Sequence, residues 1–300
     1  MSTAVAATTL GTLLAQAEAH HADHPAAILA GLLARAPLLM PDAQAAQALQ
    51  LAEHVALAHL GDAKPLAALL CALPPTLLQH TCTAAAVQRL RWVWAMASGA
   101  PVADPPPDAM RWRALQNLVL ALAAQGRWAD ASALLAADEA AARAHGAGEA
   151  GVAYAASANN VAMELQTSGP PEGQPRVASR DRLMLQAAST ARRAWGHAGT
   201  WRHVERADYR LALCHAVAGH GALAVQHARL CLAGCEAAGA AADAMEHFFA
   251  HEALARAQRV AGDGAAARAA RDQMARLLPQ IDAADGLRDW CATQLAALPP

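Results

Sequence analysis

Apolar and polar positions follow one another along this chain with the spacing of packed helices. Leu118 and Leu122 are four residues apart before Gly126, and Ala131 and Leu135 are four apart after it. Positions four apart lie on one face of an α-helix, and a glycine between two such runs marks a turn. The pattern predicts two helices that fold back on each other at Gly126.

The same pattern returns at Gly169, Gly219 and Gly262. Gly126 and Gly169 are 43 residues apart, and so are Gly219 and Gly262. The interval between Gly169 and Gly219 is 50 residues, and it contains a Pro- and Gly-rich insertion over residues 168–178. A unit that returns at a fixed period predicts a stacked array of helix pairs rather than one closed core.

Small and apolar positions agree between the units. An alanine stands five residues after three of the glycines, where a crossing helix leaves room for a small side chain only. An apolar pair precedes each glycine by seven or eight residues: Leu118-Val119, Val161-Ala162, Leu211-Ala212 and Leu254-Ala255. In these features the chain resembles the tetratricopeptide repeat family, in the longer-period form found in kinesin light chains and bacterial signalling proteins.

The resemblance implies an all-α fold, an α-solenoid of antiparallel helix pairs wound into a right-handed superhelix. Four tetratricopeptide-like units are expected over residues 108–280. Residues 1–98 are expected to form degenerate helical pairs, with helices near 25–36, 42–60, 64–72 and 83–97. Residues 281–300 are expected to form a capping helix, with Trp290 and Leu295 facing inward, because the exposed ends of a solenoid need caps.

Composition supports helices and narrows the class of partner. The chain has 87 alanines among 300 residues, and alanine has the highest helix propensity. The net charge is −2, which argues against a nucleic-acid partner. The longest uncharged stretch, 65–88, contains Pro74-Pro75, Gln79 and His80 and predicts no membrane span, and the N-terminus lacks the basic start of a secretory signal. We expect a cytoplasmic protein whose six cysteines are buried thiols.

In the family, the first helix of each pair lines a concave groove. Carried onto this chain, the groove positions are rich in arginine, which pairs with carboxylates, and asparagine, which suits an extended backbone. They comprise Arg113, Gln116, Asn117, Asn159, Asn160, Arg206, Tyr209, Arg210, Glu252, Arg256 and Arg259. The resemblance implies a non-catalytic scaffold or adaptor that binds an acidic or extended peptide segment. The alternative interpretation is that these residues lie on solvent-exposed helix faces and bind no partner, since such faces carry the same residue types. The lysines of the family's best-known carboxylate-binding subtype are absent, which argues against that subtype.

Two other functions stay open. One is a regulator that senses a peptide or small ligand and acts on a separate partner, since no DNA-binding or enzymatic domain is visible. The other is a metal-binding helical protein. His227, Cys231 and Cys235 are four residues apart on one predicted helix, and the next helix carries His247 and His251. Cys231 equally suits a small buried position. A weaker cluster comprises His20, His21 and His24.

Catalytic signatures do not support an enzyme. The segment Gly146–Gly151 fits G-x-G-x-x-G, but a predicted helix precedes it where a dinucleotide site needs a strand. The G-x-S-x-G, P-loop, H-E-x-x-H and C-x-x-C motifs do not occur. We therefore expect no catalytic residues and no cofactor.

Overall fold

The computed structural model describes residues 9–101, 104–168 and 177–299. These residues form helices and turns, with no strand among them. The predicted all-α class is confirmed for this part of the chain. The predicted turn glycine Gly169 and most of the insertion 168–178 lie outside the described residues.

The chain divides into two compact units, residues 1–134 and 135–300. The division falls within the helix Trp128–Ala137, whereas the sequence suggested a break at the Pro-rich loop after residue 98. The helices of the first unit are α1 Leu10–His20, α2 Pro25–Arg35, α3 Ala43–His54, α4 Lys64–Ala72, α5 Thr76–Gln79, α6 Thr81–Ser98 and α7 Asp108–Ala124, and Trp128–Ala137 is α8.

A π-helical turn, Val55–His59, continues α3 in the first unit. Its backbone bond runs from the N–H of Leu60 to the carbonyl of Val55, five residues back, at 3.1 Å. The sequence predicted one helix over 42–60. The structure differs from this prediction in that the winding changes from α-helical to π-helical at Val55. Gly61 ends the turn at φ +63°, and a Cβ there would lie 2.6 Å from the Cβ of Ala124. Glycine is required by both the backbone conformation and the close approach of α7.

The predicted turns at Gly126, Gly219 and Gly262 are confirmed. The three glycines have φ of +75°, +80° and +84°. In each turn the residue after the glycine donates its N–H to the carbonyl five residues earlier, at 2.8 to 2.9 Å. This is the Schellman ending of a helix, which favours glycine because its left-handed residue has no Cβ to clash.

In the described part of the second unit, the further α-helices are α9 Glu139–Ala144, α10 Glu149–Thr167, α11 Ala178–Ala198, α12 Trp201–Val217, α13 Gly221–Ala238, α14 Ala244–Val260, α15 Gly264–Leu277 and α16 Leu287–Ala296. From α10 to α15, each helix contacts the next one. Contacts that skip a helix join α10 to α12 and α12 to α14. Both kinds of contact are expected of stacked helix pairs. The superhelical winding of the array stays a prediction.

The small and apolar positions of the repeat lie in the core. Ala131 and Ala224 are fully buried, and Ala267 is half-buried. Seven members of the four apolar pairs are buried, while Leu254 is half-buried. The match therefore weakens toward the C-terminus of the array.

The C-terminal helix α16 is shorter than predicted. Asp285 and Gly286 have φ of +54° and +71°, so the backbone breaks just before Leu287. Leu295 packs on the core around Phe248 and Met274, as predicted. The inward orientation expected for Trp290 is wrong, because 51% of that residue is exposed. Among the described helices, none combines the length and apolar character needed to cross a bilayer.

Candidate functional site

Two cavities lie against α10, α12, α14 and α16 in the second unit, and both are lined by Tyr209 and Arg210. The aromatic cavity, of about 560 Å³, is lined by Tyr209, Phe249, Trp290, Met163, Met245, Leu287, Asn159, Arg206 and Arg210 with Glu205 and Glu246. The arginine cavity, of about 450 Å³, is lined chiefly by Arg210, Arg256, Arg259, Tyr209, Glu252, Gln166, Leu213 and Gln294.

Seven of the eleven predicted groove residues line these two cavities. They are Asn159, Arg206, Tyr209, Arg210, Glu252, Arg256 and Arg259. Helix geometry explains the convergence on α12, because Arg206, Tyr209, Arg210 and Leu213 occupy positions i, i+3, i+4 and i+7 of one face.

Tyr209 joins the two cavities and ties α12 to α14. Its hydroxyl donates to Oε2 of Glu252 at 2.8 Å, and these residues are 43 positions apart, one predicted period. Its ring meets Phe249 edge to face at 6.0 Å between centroids. Burial, and then the Glu252 carboxylate, raise the pKa of Tyr209 well above its ordinary value. The phenol therefore stays a neutral donor in a fixed place.

Glu252 is a positioning group rather than an open acceptor. Its residue is 2% exposed, and its Oε1 accepts from Nε of Arg256 at 2.8 Å while Oε2 accepts from Tyr209. A buried carboxylate needs such partners to offset its desolvation. The sequence placed Glu252 on the groove but could not show that its neighbours neutralise it.

Arg210 and Arg259 supply the least compensated positive charge. The guanidinium of Arg210 lies over the Tyr209 ring at 5.9 Å from the centroid and donates through Nη1 to Oε1 of Gln166. Its Nε is buried without a hydrogen-bond partner. Arg259 is exposed and forms no ion pair with any residue in the described ranges. By contrast, Arg256 is paired with Glu252, and Arg206 lies 3.8 Å from Glu246.

The aromatic cavity carries an exposed indole that sequence reasoning placed in the core. Trp290 of α16 meets Phe249 of α14 at 5.1 Å between ring centroids. Leu287, Trp290 and Gln294 lie at i, i+3 and i+7 of α16 and line the two cavities. That spacing in the sequence shows that they share a face, but not which face of α16 would be covered.

Four predicted groove residues do not line these cavities. Asn160 is half-buried in α10 and interacts elsewhere in the chain. Arg113, Gln116 and Asn117 belong to the first unit. Asn117 is buried there, and its amide nitrogen donates to Oε1 of Glu53 at 2.7 Å. It is thus a core polar residue.

The histidine and cysteine side chains of α13 and α14 do not assemble as ligands. Nδ1 of His227 lies 3.1 Å from Oδ1 of Asp208, and Sγ of Cys231 donates to Oε1 of Glu205 at 2.7 Å. Cys231 and Cys235 are fully buried, and burial followed by Glu205 raises the pKa of both thiols. In the described part of the chain, no three of His227, Cys231, Cys235, His247 and His251 bring donor atoms together.

Burial of the cysteines is confirmed only in part. Cys214, Cys231, Cys235 and Cys291 are buried thiols, whereas Cys71 and Cys82 are exposed, and all six are free.

No protein-family model matches the chain, and no curated protein matches it. The likeness to tetratricopeptide repeats therefore rests on the repeated residues and turns described above.

Proposed function

We propose that the second unit is a non-catalytic binding module that holds an extended acidic peptide segment of a partner protein across the aromatic and arginine cavities. The observation that carries this proposal is Arg210, which lines both cavities and forms no ion pair with a described residue. A guanidinium without a carboxylate partner can bind a peptide carboxylate through charge-assisted hydrogen bonds.

Charge favours an acidic segment in the arginine cavity. Three arginines, Arg210, Arg256 and Arg259, line it together with one carboxylate, Glu252. Glu252 is already bonded to Arg256 and Tyr209. Arg210 and Arg259 thus remain for an incoming carboxylate, which a guanidinium binds in a planar, two-bond arrangement.

The aromatic cavity favours an apolar anchor next to that carboxylate. Phe249, Trp290, Met163, Met245 and Leu287 provide the apolar lining. Aromatic side chains with adaptable methionines are typical of protein-binding surfaces. Asn159, half-buried at the edge, suits the backbone of an extended chain because its amide both donates and accepts.

The tetratricopeptide-like superhelix and a cytoplasmic location belong to the same proposal. Contacts between α10, α12 and α14 support stacking of the first helices of successive pairs. The free and exposed thiols of Cys71 and Cys82 are in keeping with a reducing compartment.

A selection from random displayed peptides tests the proposal with no partner known in advance. We expect the purified chain to enrich peptides in which Asp or Glu stands near Leu, Phe or Trp. The variant Arg210→Gln/Arg259→Glu should lose that enrichment, since it removes the two uncompensated guanidinium groups.

The control variant is Arg182→Glu/Arg229→Glu, which changes two exposed arginines that line neither cavity. It should select the same peptides as the wild type. Enrichment of no common sequence by the wild type, or of the same sequences by the folded Arg210→Gln/Arg259→Glu variant, would overturn the proposal.

A further inference from the structure

Three histidine side chains from separate segments of the first unit converge. His21 follows α1, His54 ends α3, and His59 ends the π-helical turn. Their ring centroids are 4.8 to 5.3 Å apart, and each pair meets edge to face. One ring nitrogen from each lies within 4.8 Å of the other two, and no other group of such donors converges in the described ranges.

A chain of hydrogen bonds sets the tautomer of His54. Glu53 is 1% exposed, and its carboxylate accepts from Nε and Nη2 of Arg89 at 2.7 Å each. The amide nitrogen of Asn117 donates to the same carboxylate, so the amide oxygen faces His54. That oxygen can only accept, and Nδ1 of His54, at 2.9 Å, must donate to it. The lone pair of His54 is therefore on Nε2, where it accepts a hydrogen bond from Nε2 of His59 until a metal takes the place of that proton.

His21 is fixed in the same manner. Its Nδ1 lies 2.7 Å from the backbone carbonyl oxygen of Ala17, which can only accept. A neutral His21 therefore carries its proton on Nδ1 and keeps the lone pair on Nε2. Histidines that bind metals in proteins characteristically donate their second nitrogen to a carbonyl or a similar acceptor.

The π-helical turn brings His59 next to His54. In an α-helix, residues five apart point about 140° away from each other. Here Nε2 of His59 lies 3.1 Å from Nε2 of His54. Two nitrogens bound to one Zn²⁺ at about 2.0–2.1 Å in tetrahedral geometry would be about 3.3 Å apart. Single π-helical turns occur frequently at functional sites.

We propose that His21, His54 and His59 bind one Zn²⁺ through ring nitrogens, with a fourth position open to solvent. All three histidines are half-buried, so solvent can reach the site. The Glu53 and Asn117 side chains that hold His54 in place are buried. Three imidazoles with an open position are a known zinc-binding set. This inference is independent of the peptide-binding proposal, since its residues belong to the first unit.

Metal titration of the full chain tests the site. The chain, stripped of metal with a chelator, is titrated with Co²⁺ as a visible probe and then with Zn²⁺. We expect one equivalent of Co²⁺ with the absorption of four-coordinate cobalt, displaced by one equivalent of Zn²⁺. His54→Ala and His59→Ala should weaken Zn²⁺ binding at least about 100-fold, and Asn117→Ala about 10- to 100-fold through loss of orientation.

His20→Ala and His24→Ala are the matched controls, because both residues are exposed neighbours of His21 outside the cluster. They should bind Zn²⁺ as the wild type does. His21→Ala, in a turn, provides a second test should the helical variants not fold. Binding of less than a tenth of an equivalent by the wild type, equal loss in the controls, or unchanged affinity in folded His21, His54 and His59 variants would overturn the site.

Discussion

At the scale of single residues, the buried charges of this chain are held by specific partners. Glu53 and Arg89 form a two-bond pair that is almost wholly removed from solvent. Glu252 and Asp208 are likewise buried, with arginine partners Arg256 and Arg192. Removal of one partner from such a pair strands a charge in the interior.

Arg89→Met is expected to lower the free energy of unfolding by about 3–5 kcal/mol, because it leaves the Glu53 carboxylate buried without its cation. Adding Glu53→Gln should recover at least about 1 kcal/mol, since no buried charge then remains. Urea denaturation followed by circular dichroism measures both.

Arg127→Met provides the comparison, because Arg127 pairs with Asp130 at 2.8 Å on the surface. It should cost less than about 1 kcal/mol. Equal costs for Arg89→Met and Arg127→Met, or a double variant less stable than Arg89→Met alone, would contradict this view of the buried pair.

The sequence could not predict which charged and polar side chains pair with one another. The repeat register grouped Tyr209, Arg210 and Arg259, and these three residues line one cavity of the second unit. It could not separate Arg259, which is unpaired in the described residues, from Arg256, which Glu252 neutralises. It also took Asn117 as a groove residue, since nothing in the local sequence reveals Glu53, 64 positions away.

At the scale of elements, the turns were the most predictable feature. A glycine after an apolar run indicates a left-handed helix ending, and Gly126, Gly219 and Gly262, the predicted turn glycines that the structure describes, have it. The π-helical turn and the break before α16 were not predicted, because backbone winding there depends on packing. Gly61 is an example, because its backbone lies so close to Ala124 that a Cβ would not fit there. The face of α16 that carries Trp290 could not be chosen for the same reason.

Gly219→Ala is expected to destabilise the chain by about 1–2 kcal/mol, since an L-residue is strained at φ +80° and no atom within 4 Å of the new Cβ compensates. Gly196→Ala, in the last turn of α11 and at negative φ, should instead stabilise by about 0.5 kcal/mol. Its Cβ would meet only Nη1 of Arg192, at 3.9 Å. Thermal unfolding of both variants checks the signs, and a stabilising Gly219→Ala would refute the turn geometry.

At the scale of the whole molecule, stability is expected to be sensitive to mild acid, because burial lowers the pKa of the half-buried histidines His215 and His251. His215 stacks on His227 at 5.5 Å and lies beside His220, while Asp208 faces His227. Burial first, and then His227 and His220, lower the pKa of His215 to about 4. Its unfolded pKa is near 6.5, so between these values the unfolded chain binds the additional proton. The contribution of neutral His215 to the free energy of unfolding is therefore fully present above pH 6.5 and is lost as the pH falls toward 4.

His215→Gln should reduce this loss by about 1 kcal/mol between pH 7 and pH 4.5, a value discounted for partial exposure. Urea denaturation at the two pH values measures it. The same slope in wild type and His215→Gln would show that other groups cause the acid sensitivity.

The proposed peptide binding rests on the two cavities of the second unit, and a measurement of binding affinity tests it most directly. An acidic peptide obtained by selection is titrated into the wild type, Arg259→Glu and the control Arg229→Glu by calorimetry. We predict that Arg259→Glu weakens binding about tenfold or more, that Arg229→Glu does not, and that exchanging the peptide's acidic residue for Lys restores affinity toward Arg259→Glu. Equal affinity of the acidic peptide for all three proteins would contradict the assignment of binding to this surface.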